Sequence, residues 1–459
     1  MTLEEEVVAL RAENATLRAE NERLRAELAQ APELIAQLQA RLAELERRKT
    51  PPPPFVRPDT PQPPKHQPRK KRASQHNAGR PREAPTQIIY HALERCPDCG
   101  YLLRGQSVAR TRQVIELPEP APVVITEHRL IKRHCPVCNR WWTPPVEWDG
   151  QVLGQGRFGV RLVSLIAYLR QSARLPVRTI QQVLATLHRL HLSVGAITDL
   201  LQRLHHATQP EQEALRVQAR ASPIVHMDET GWRENGQTGY VWGLVTPGPE
   251  PVCSYAYDPS RAGAVATTLL PDFAGHLVTD YYCAYNHVGS KHQRCWSHLL
   301  RDLHALKMDH AAEPPVVHWA QAVQVLYDEA RAAFEGPTIL TARQRTLLAR
   351  QLNAQAFRLA VLYAGLKGHP CQALAKRLLR HQGELFEFVR VPGLDADNNR
   401  AERLLRPLVM GRKISGGTRS PAGTAAHMGL SSLFATWQTR GLNPFQACLS
   451  LLHSRLPQT

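Results

Sequence analysis

The sequence predicts a multidomain protein in which a coiled coil, a small metal-binding domain and a helical module precede a mixed α/β domain. Three observations lead to this prediction. A seven-residue repeat of apolar residues fills positions 1–49, and two C-x-x-C pairs follow a proline-rich stretch. From residue 223 onward, short apolar segments end in acidic residues. With 459 residues, 43% of them hydrophobic, the chain can form roughly two to four domains with cores of their own.

The charge balance of the chain points to a polyanionic partner. Lysine and arginine number 57 against 40 acidic residues, a net charge of +17, which attracts nucleic acid or an anionic membrane surface. No apolar run reaches the roughly 18 residues that a spanning helix needs, and the Glu- and Arg-rich start lacks a signal-peptide core. The nine cysteines, an odd number, favour reduced thiols, some of them holding metal. We therefore expect a cytoplasmic, nucleoid-associated protein with no membrane partner.

Residues 1–49 carry the heptad pattern of a coiled coil, similar to a leucine zipper. One seam position holds leucine in six of seven heptads, and the other is mainly aliphatic but includes Asn14 and Asn21. Buried asparagines favour a fixed register and two strands, so we predict a homo-oligomer. Pro32 should kink or split the helix. The alternative is a helix that folds back on its own domain.

Residues 50–85 are expected to form an extended basic tether. The segment contains eleven prolines, and eight basic residues against Asp59 and Glu83, a composition that favours polyproline geometry over a packed core. Within it, Gly79-Arg80-Pro81-Arg82 resembles an AT-hook core, whose arginines follow a narrow minor groove. We favour the plainer interpretation, in which Arg80 and Arg82 belong to a nonspecific phosphate-binding arm.

Two C-x-x-C pairs in residues 86–150 predict a zinc site. The four cysteines are Cys96, Cys99, Cys135 and Cys138. Four thiolates complete the tetrahedron that Zn²⁺ prefers and leave no open position, so the zinc is expected to be structural. Strand-like segments at Gln113–Leu117 and Val123–Ile131 predict that the site belongs to a zinc ribbon. A redox role fits less well, since both pairs would need it at once.

Residues 151–222 predict a helical module that binds DNA. The predicted helices are Gly159–Gln171, Arg178–Leu190 and Val194–Leu204. Ser193 is a good N-cap for the third helix, and the tight turn before it gives the last two helices a helix-turn-helix pattern. Thr198 and Arg203 would then be among the exposed residues of the recognition helix. A helix pair that only packs is the alternative.

Residues 223–459 predict an α/β domain with acidic residues at strand ends. The strand that begins at residue 223 is expected to end at Asp228, and a strand at 276–280 ends at Asp280. Two further strands, Tyr240–Thr246 and Val252–Tyr257, and a short helix, Arg261–Leu270, lie between them. This order predicts an RNase H-like sheet whose central strands bring Asp228 and Asp280 together. Carboxylates are the ligands that hard divalent cations require.

A third acidic candidate, Glu402, follows a long region at about 287–390 that is expected to be helical. Two ordinary roles for Glu402 are a capping box with Asn399 and an i,i+4 pair with Arg406. The residues that follow are strongly basic, and Gly416-Gly417-Thr418 could let the backbone approach a phosphate. The basic residues are Arg403, Arg406, Arg412, Lys413 and Arg419.

Four segments resemble motifs of the insertion-sequence family sixty-six (IS66-type) transposases. They are His226–Trp232, Val278–Asn286, Gln293–Leu303 and Asn399–Pro407. The resemblance spans nearly the whole chain, because a coiled coil, a basic tether and the cysteine pairs precede these motifs in the same order. It implies that Asp228, Asp280 and Glu402 are the triad of a DDE transposase. Residues 287–390 would be a helical insertion in its core.

The resemblance also implies a chemistry and a set of partners. The triad would hold two Mg²⁺ (or Mn²⁺) ions for cleavage of a strand at an element end and for attack of its 3′-hydroxyl on target DNA. The residues expected to hold phosphates are Arg406, Arg412, Lys413 and Arg419. The coil would pair protomers, and small companion proteins of the same element are implied partners.

Two other functions stay open from the sequence. A non-catalytic, dimeric, zinc-containing DNA-binding regulator explains the coil, the tether and the cysteines, but gives no reason for three carboxylates. An RNase H-like nuclease or junction resolvase shares the metal site but joins no strands. The pair Cys295-x-x-His298 is expected on one helix face, either as part of a second zinc site or, the interpretation we favour, in ordinary helix packing.

Overall fold

The computed structural model describes residues 84–146 except 106 and 109, 151–335 except 155, and 340–454, together with Arg18, Glu20 and Glu22. Apart from those three residues, the coiled coil expected at 1–49 lies outside the described residues. The tether lies outside them as far as residue 83, and so do Arg80 and Arg82. Both segments therefore stay predictions.

The chain divides into two compact units, of which the first, residues 1–116, contains the first pair of cysteines. A tight turn follows Cys96: the Gly100 N–H donates to the Cys96 carbonyl (2.9 Å), and the Cys96 N–H donates to the Tyr101 carbonyl (2.9 Å). A bridge between Arg95 and Leu102 closes the turn. Gly100 has a φ of 72°, which glycine adopts without a steric penalty.

The second unit, residues 117–459, begins with the second pair of cysteines on a short hairpin. Its strands are β1 (Arg133–Cys135) and β2 (Arg140–Trp142), which pair antiparallel. In the turn between them, the Cys138 N–H donates to Cys135 Sγ (3.5 Å). Each cysteine pair is thus folded locally into a knuckle.

The strands predicted at Gln113–Leu117 and Val123–Ile131 are wrong, because the described residues of both segments contain no strand. Their apolar side chains lie in water, with Val114 79% and Val124 92% exposed. Runs of β-branched residues favour extended backbone, but a stable strand also needs pairing and an apolar face to cover. Among the described residues of this region, the only paired strands longer than an isolated bridge are therefore β1 and β2, of three residues each.

Four helices come next, and the first three lie close to where the sequence predicts them. They are α1 (Val160–Gln171), α2 (Val177–His188), α3 (Val194–Ala207) and α4 (Gln209–Ala221). The Ser193 side chain accepts the N–H of Ala196 (3.0 Å), so the predicted N-cap is confirmed. Helix α2 ends earlier than predicted because Arg189 takes a left-handed φ of 54°.

A mixed sheet of five described strands forms the centre of the second unit. The strands are β3 (Ile224–Glu234), β4 (Gln237–Val245), β5 (Cys253–Asp258), β6 (His276–Thr279) and β7 (Lys291–Arg294), with α5 (Gly263–Leu269) after β5. Their order is β5-β4-β3-β6-β7; β3, β4 and β5 pair antiparallel, whereas β6 runs parallel to both β3 and β7. The four strands predicted from the sequence are present.

Two strand predictions need correction. Strand β3 does not end at Asp228 but continues to Glu234, because Asn235 and Gly236 (φ 48° and 80°) form a tight hairpin turn into β4. Strand β7 lies in the region predicted as helical. Its sequence is Lys-His-Gln-Arg, with no apolar alternation, yet its last three residues are buried because Gln293 and Arg294 find hydrogen-bond partners inside.

Helices follow β7 to the end of the described chain. They are α6 (Trp296–Asp309), α7 (Pro314–Glu335), α8 (Ala342–Ala364), α9 (Gln372–Arg380), α10 (Glu387–Arg390), α11 (Asn399–Ser415), α12 (Pro421–Thr439) and α13 (Pro444–His453). Helices α6–α10 pack around Trp296, Trp319 and Phe386, in a core that also includes Ile224 of β3 and Val278 of β6. In the part of the chain that is described, no helix is long and apolar enough to cross a membrane.

The two faces of the sheet carry different helices. Val225 and Met227 of β3 face α5, while Trp232 of β3 packs with Leu404 and Leu408 of α11. The helices α1–α4 bury their apolar side chains together with those of α12 and α13 in a single core. The predicted module 151–222 therefore shares its core with the C-terminal end of the chain.

Candidate active site

Asp228 and Asp280 lie at the same level of the sheet. The parallel pairing of β3 with β6 ends where His226 faces Val278, and each aspartate lies two residues further along its chain. Asp280 directly follows β6, and its Oδ1 accepts the N–H of Tyr282 (2.9 Å). The sheet thus brings together the two aspartates that the sequence singles out.

Side chains of a strand alternate between faces, so Asp228 and its neighbour Glu229 point in opposite directions. Asp228 shares the face of Trp232, which is the α11 face. Glu229 lies on the α5 face, 2% exposed, where Arg261 Nε donates to its Oε1 (2.8 Å) and the Tyr285 hydroxyl donates to its Oε2. Glu229 is therefore engaged in an ion pair in which its own side chain is buried and that of Arg261 is exposed, while Asp228 faces α11.

Glu402 lies in the first turn of α11, on the face of the sheet that Asp228 shares. The capping-box interpretation is wrong, because Asn398 is the N-cap, makes no side-chain capping bond, and leaves Asn399 inside the helix. Among the described residues, Glu402 forms no ion pair with Arg406; its nearest ionisable partner is His298, whose Nδ1 lies 3.8 Å from Glu402 Oε1. Both ordinary roles for Glu402 thus fail.

The negative charges of Glu229, Asp280 and Glu402 act on the Asp228 carboxyl. Burial is the main cause that raises the pKa of Asp228 to about 8, and the negative charges of Glu229, Asp280 and Glu402 add to it. Like charges in a dry site oppose ionisation unless a cation neutralises them. The site therefore favours either a retained proton or a bound cation.

The donor set of this cluster fits a hard divalent cation. Asp228, Asp280 and Glu402 offer only carboxylate oxygens, which Mg²⁺ and Mn²⁺ prefer. Glu402 Oε1 is buried and has no hydrogen-bond partner among the described residues, as expected of an oxygen that a cation would satisfy. The residues present are thus compatible with the cations implied by the sequence.

Cys295 and His298 lie beside Glu402, which the sequence does not predict. One ligand atom from each of the three residues lies within 4.8 Å of the others. Burial raises the pKa of Cys295 to about 11, and its sulfur accepts the N–H of Asn398 (3.2 Å). Through this bond Cys295 holds the start of α11. The choice between packing and a second metal site for Cys295 and His298 stays a prediction.

The residues predicted to hold phosphates fall into two groups. Arg412 has a structural contact, because its Nη1 donates a hydrogen bond to the Gly231 carbonyl of β3. Arg406, Lys413 and Arg419 are exposed on or next to α11. The phosphate-binding role stays a prediction for these three.

The Gly416-Gly417-Thr418 segment does not form a phosphate loop. The Thr418 N–H donates to the Arg233 carbonyl (2.9 Å), and the Thr418 hydroxyl accepts the indole N–H of Trp232 (3.0 Å). Gly417, with a φ of 100°, packs so closely that an added Cβ would lie 2.1 Å from the Arg233 oxygen. The glycines therefore let the chain dock against the end of β3.

Each cysteine knuckle favours thiolates. Backbone N–H groups of Cys99 and Asp98 lower the pKa of Cys96, and those of Cys138 and Val137 lower the pKa of Cys135. A lowered thiol pKa eases the proton loss that zinc binding requires. The two knuckles lie in different units, and their union in one zinc site stays a prediction.

In the helix predicted to recognise DNA, the two singled-out side chains bond to other groups of the same helix. Thr198 Oγ1 donates to the Gly195 carbonyl (2.9 Å), and Arg203 Nε pairs with Asp199 (2.8 Å). Arg203 is exposed, and an exposed salt bridge contributes little free energy, so it restrains the arginine side chain only weakly. The groove-reading role stays a prediction.

Comparison with known families defines the class of this protein. The chain is a transposase with a zinc-finger region. The model described as the zinc-finger binding domain of transposase IS66 matches residues 94–139, which contain all four cysteines. The model of the transposase IS66 family matches residues 155–426, more than half of the chain, so the chain belongs to the transposase IS66 family. The comparison with curated proteins gave no match.

Proposed function

We propose that this protein is a DDE transposase that cleaves DNA at the ends of its insertion sequence and joins the freed end to target DNA. One observation carries the proposal. Asp228 and Asp280 lie side by side where the parallel pairing of β3 and β6 ends, and the charge of Glu402, on α11, acts on Asp228. The strand order β5-β4-β3-β6-β7, with three antiparallel strands followed by parallel ones, supports an RNase H-like core.

Asp228, Asp280 and Glu402 would hold two divalent cations. When bound, such ions supply a more acidic attacking water or hydroxyl and neutralise charge on the leaving 3′-oxygen. The protein itself fixes the main chain at Asp280. The Asp280 carbonyl accepts a hydrogen bond from Arg294 Nη1 (3.1 Å), and Arg294 is 1% exposed, so the end of β6 is held from inside the molecule.

His298 supports the proposal as a positioning residue for Glu402. His298 Nδ1 and Glu402 Oε1 are both buried without a hydrogen-bond partner in the described chain, at 3.8 Å from each other. A small rotation of either side chain completes a hydrogen bond that selects one carboxylate orientation. Catalysis of phosphoryl transfer depends on this kind of prior alignment.

The exposed basic residues would hold the DNA. Arg406, Lys413 and Arg419 follow Glu402 on α11 and the loop behind it, so a duplex that reaches the carboxylates passes near them. Arg80 and Arg82 of the tether would add phosphate contacts. The zinc held by Cys96, Cys99, Cys135 and Cys138 would be structural, the N-terminal coil would pair protomers, and companion proteins of the element would complete the assembly.

The test is cleavage and joining of a labelled DNA end taken from inverted repeats that flank the gene, with Mg²⁺ or Mn²⁺. Joined product from the wild type and none from Asp280→Asn is the expected result. Cut DNA without joined species in any condition would indicate a nuclease instead. Specific binding without cleavage, even after the neighbouring gene products are added, would favour the regulator.

A further inference from the structure

A cavity of about 50 Å³ lies where α1 meets α11 and α12 in the second unit, and no residue of the carboxylate triad lines it. Its wall combines apolar atoms with a set of polar side chains. These include Arg170, Gln171, Ser172, Arg174, His427 and Gln438. None of the described residues in its wall is acidic, which sets it apart from the carboxylate cluster.

Arg170 is a buried cation without a counter-ion. Its side chain is 9% exposed, and it donates one hydrogen bond, to the Leu175 carbonyl (3.1 Å). Within the described chain no carboxylate pairs with it, and burial alone lowers its pKa. A guanidinium taken out of water is costly unless an anion accompanies it. The cavity is where such an anion fits.

Two further atoms around the cavity have hydrogen-bonding capacity to spare. Ser172 Oγ and His427 Nδ1 are buried and have no hydrogen-bond partner among the described residues. The His427 ring is held in place by stacking on Trp232, with centroids 5.5 Å apart. Burial and the charge of Arg170 lower the pKa of His427 to about 3, so at neutral pH the ring is uncharged and can donate one N–H.

The backbone near the cavity is shaped around a second arginine. Arg174 has a φ of 60°, a left-handed conformation in which side chains other than those of Gly, Asn and Asp are uncommon. This turn follows the end of α1 and puts Arg174 in the cavity wall. The cavity therefore has a buried guanidinium inside and an exposed one in its wall.

We propose that this cavity binds a phosphate-type oxyanion, with Arg170 as its counter-cation and Ser172 and His427 as hydrogen-bond donors. The guanidinium fork matches the oxygens of a tetrahedral oxyanion, and about 50 Å³ is more room than one water needs. The oxyanion is either free phosphate or a phosphate group of bound DNA, since both present the same oxygens. The site is argued from its own residues and is independent of the proposed catalysis.

The test compares thermal unfolding of the full chain in inorganic phosphate and in chloride of equal ionic strength. The variants are Arg170→Gln, which removes the charge but keeps a donor for Leu175, and Ser172→Ala. The matched control is Arg216→Gln, because Arg216 is exposed and pairs with Glu213 (2.7 Å) outside the cavity. A parallel titration uses a short DNA duplex with 5′-hydroxyl ends.

The wild type and Arg216→Gln should gain about 2 °C when phosphate reaches roughly ten times its dissociation constant. Arg170→Gln should lose this gain, and Ser172→Ala should need several-fold more phosphate. If only the duplex stabilises the wild type, and Arg170→Gln removes that effect, the oxyanion is a DNA phosphate. If phosphate and the duplex stabilise the wild type and all three variants equally, the proposed oxyanion site is wrong. If Arg170→Gln does not fold, an unchanged response of Ser172→Ala overturns it.

Discussion

The side-chain amide of Asn398 donates a hydrogen bond of 2.9 Å to the carbonyl of Met227. This bond ties the start of α11, which carries Glu402, to β3 one residue before Asp228. The main-chain N–H of Asn398 also donates to Cys295 Sγ (3.2 Å), at the start of α6. Asn398 is 1% exposed. Its two hydrogen bonds form a joint between α11, β3 and α6, and this joint sets the position of Glu402 relative to the sheet.

Replacing Asn398 by Ala should impair cleavage more than folding. We expect the free energy of unfolding to fall by about 1–3 kcal/mol, and DNA cleavage to fall by about 10²-fold, since small displacements of reacting groups are costly. The control is Asn353→Ala, which removes an exposed side-chain acceptor for the Gly383 N–H (3.3 Å). Urea unfolding and single-turnover cleavage measure the two effects. Cleavage at the wild-type rate in Asn398→Ala would show that Glu402 does not depend on this joint.

Asp228→Asn and Glu229→Gln should have opposite effects. Without divalent cations at pH 7, Asp228→Asn should raise the free energy of unfolding by about 1–3 kcal/mol, because Asp228, with its pKa raised to about 8, must take up a proton on folding and Asn does not. Cleavage should nevertheless fall by about 10³-fold. Glu229→Gln breaks the ion pair with Arg261, so stability should fall by about 2 kcal/mol while cleavage changes less than about tenfold. Denaturation and cleavage assays on both variants decide, and a reversed pattern would assign the active role to Glu229.

Glu384 should make stability depend on acid pH. Burial opposes its ionisation, but the hydrogen bond with His381 and the charge and hydrogen bond of Arg294 outweigh burial and lower the pKa of Glu384 to about 2. Because the folded pKa lies below the ordinary value, the stabilisation is full above about pH 4.5 and is lost as the pH falls through about 2.

Glu384→Gln should therefore lower the free energy of unfolding by about 2–3 kcal/mol at pH 7, and by almost nothing near pH 2. Glu313→Gln serves as control, because Glu313 is 51% exposed and pairs with His310 at the surface (2.8 Å); it should cost under about 1 kcal/mol. Urea titrations across the pH range measure the difference. A cost for Glu384→Gln that does not change with pH would refute the ion-pair explanation.

Gly417→Ala should destabilise the protein by about 2 kcal/mol or more. Its φ of 100° is unfavourable for a side chain, and the new Cβ would lie 2.1 Å from the Arg233 carbonyl oxygen. Gly365→Ala is the matched control, because its φ is −82° and no atom lies within 4 Å of the new Cβ. Its free energy of unfolding should stay the same or rise slightly. Thermal unfolding compares them. An unaltered midpoint for Gly417→Ala, with weaker DNA binding, would restore the phosphate-loop interpretation.

Replacing Cys135 by Ser should release zinc from the purified protein. About one ion per chain is expected for the wild type, and the variant should lose it because a three-thiolate site binds zinc more weakly. Cys253→Ser is the control, since Cys253 is buried and its sulfur lies 3.5 Å from Thr439 Oγ1. Atomic absorption counts the metal. Equal zinc in both variants would exclude Cys135 as a ligand.

The sequence predicts those parts of the fold in which residues of one type recur at a local spacing. The strands that carry Asp228 and precede Asp280 begin with apolar residues, so their positions could be anticipated, although the end of β3 at Glu234 could not. Helix α3 and its Ser193 cap follow from periodicity and capping chemistry. Glu402 could be selected only by its motif, since its ordinary roles were equally plausible from local sequence.

Features that depend on distant partners could not be predicted. Strand β7 is polar along its length, and Gln293 is buried only because Leu385, nearly a hundred residues later, accepts its hydrogen bond (3.1 Å). The neighbours of Glu229, Arg261 and Tyr285, are likewise supplied by other elements. The role of Asn398 had one local signal, its position directly before the helix of Glu402.

The core that α1–α4 share with α12 and α13 has a consequence for synthesis of the chain. Leu184 and Leu200 leave the ribosome early, but Leu433 and Leu452, which complete the same core, emerge more than two hundred residues later. At about 5–20 residues per second, the first four helices spend well over ten seconds without their final partners. A chain that terminates before α12 leaves their apolar side chains uncovered, and quality-control proteases recognise such surfaces. Premature truncation of this gene should thus remove the product rather than release a free DNA-binding fragment.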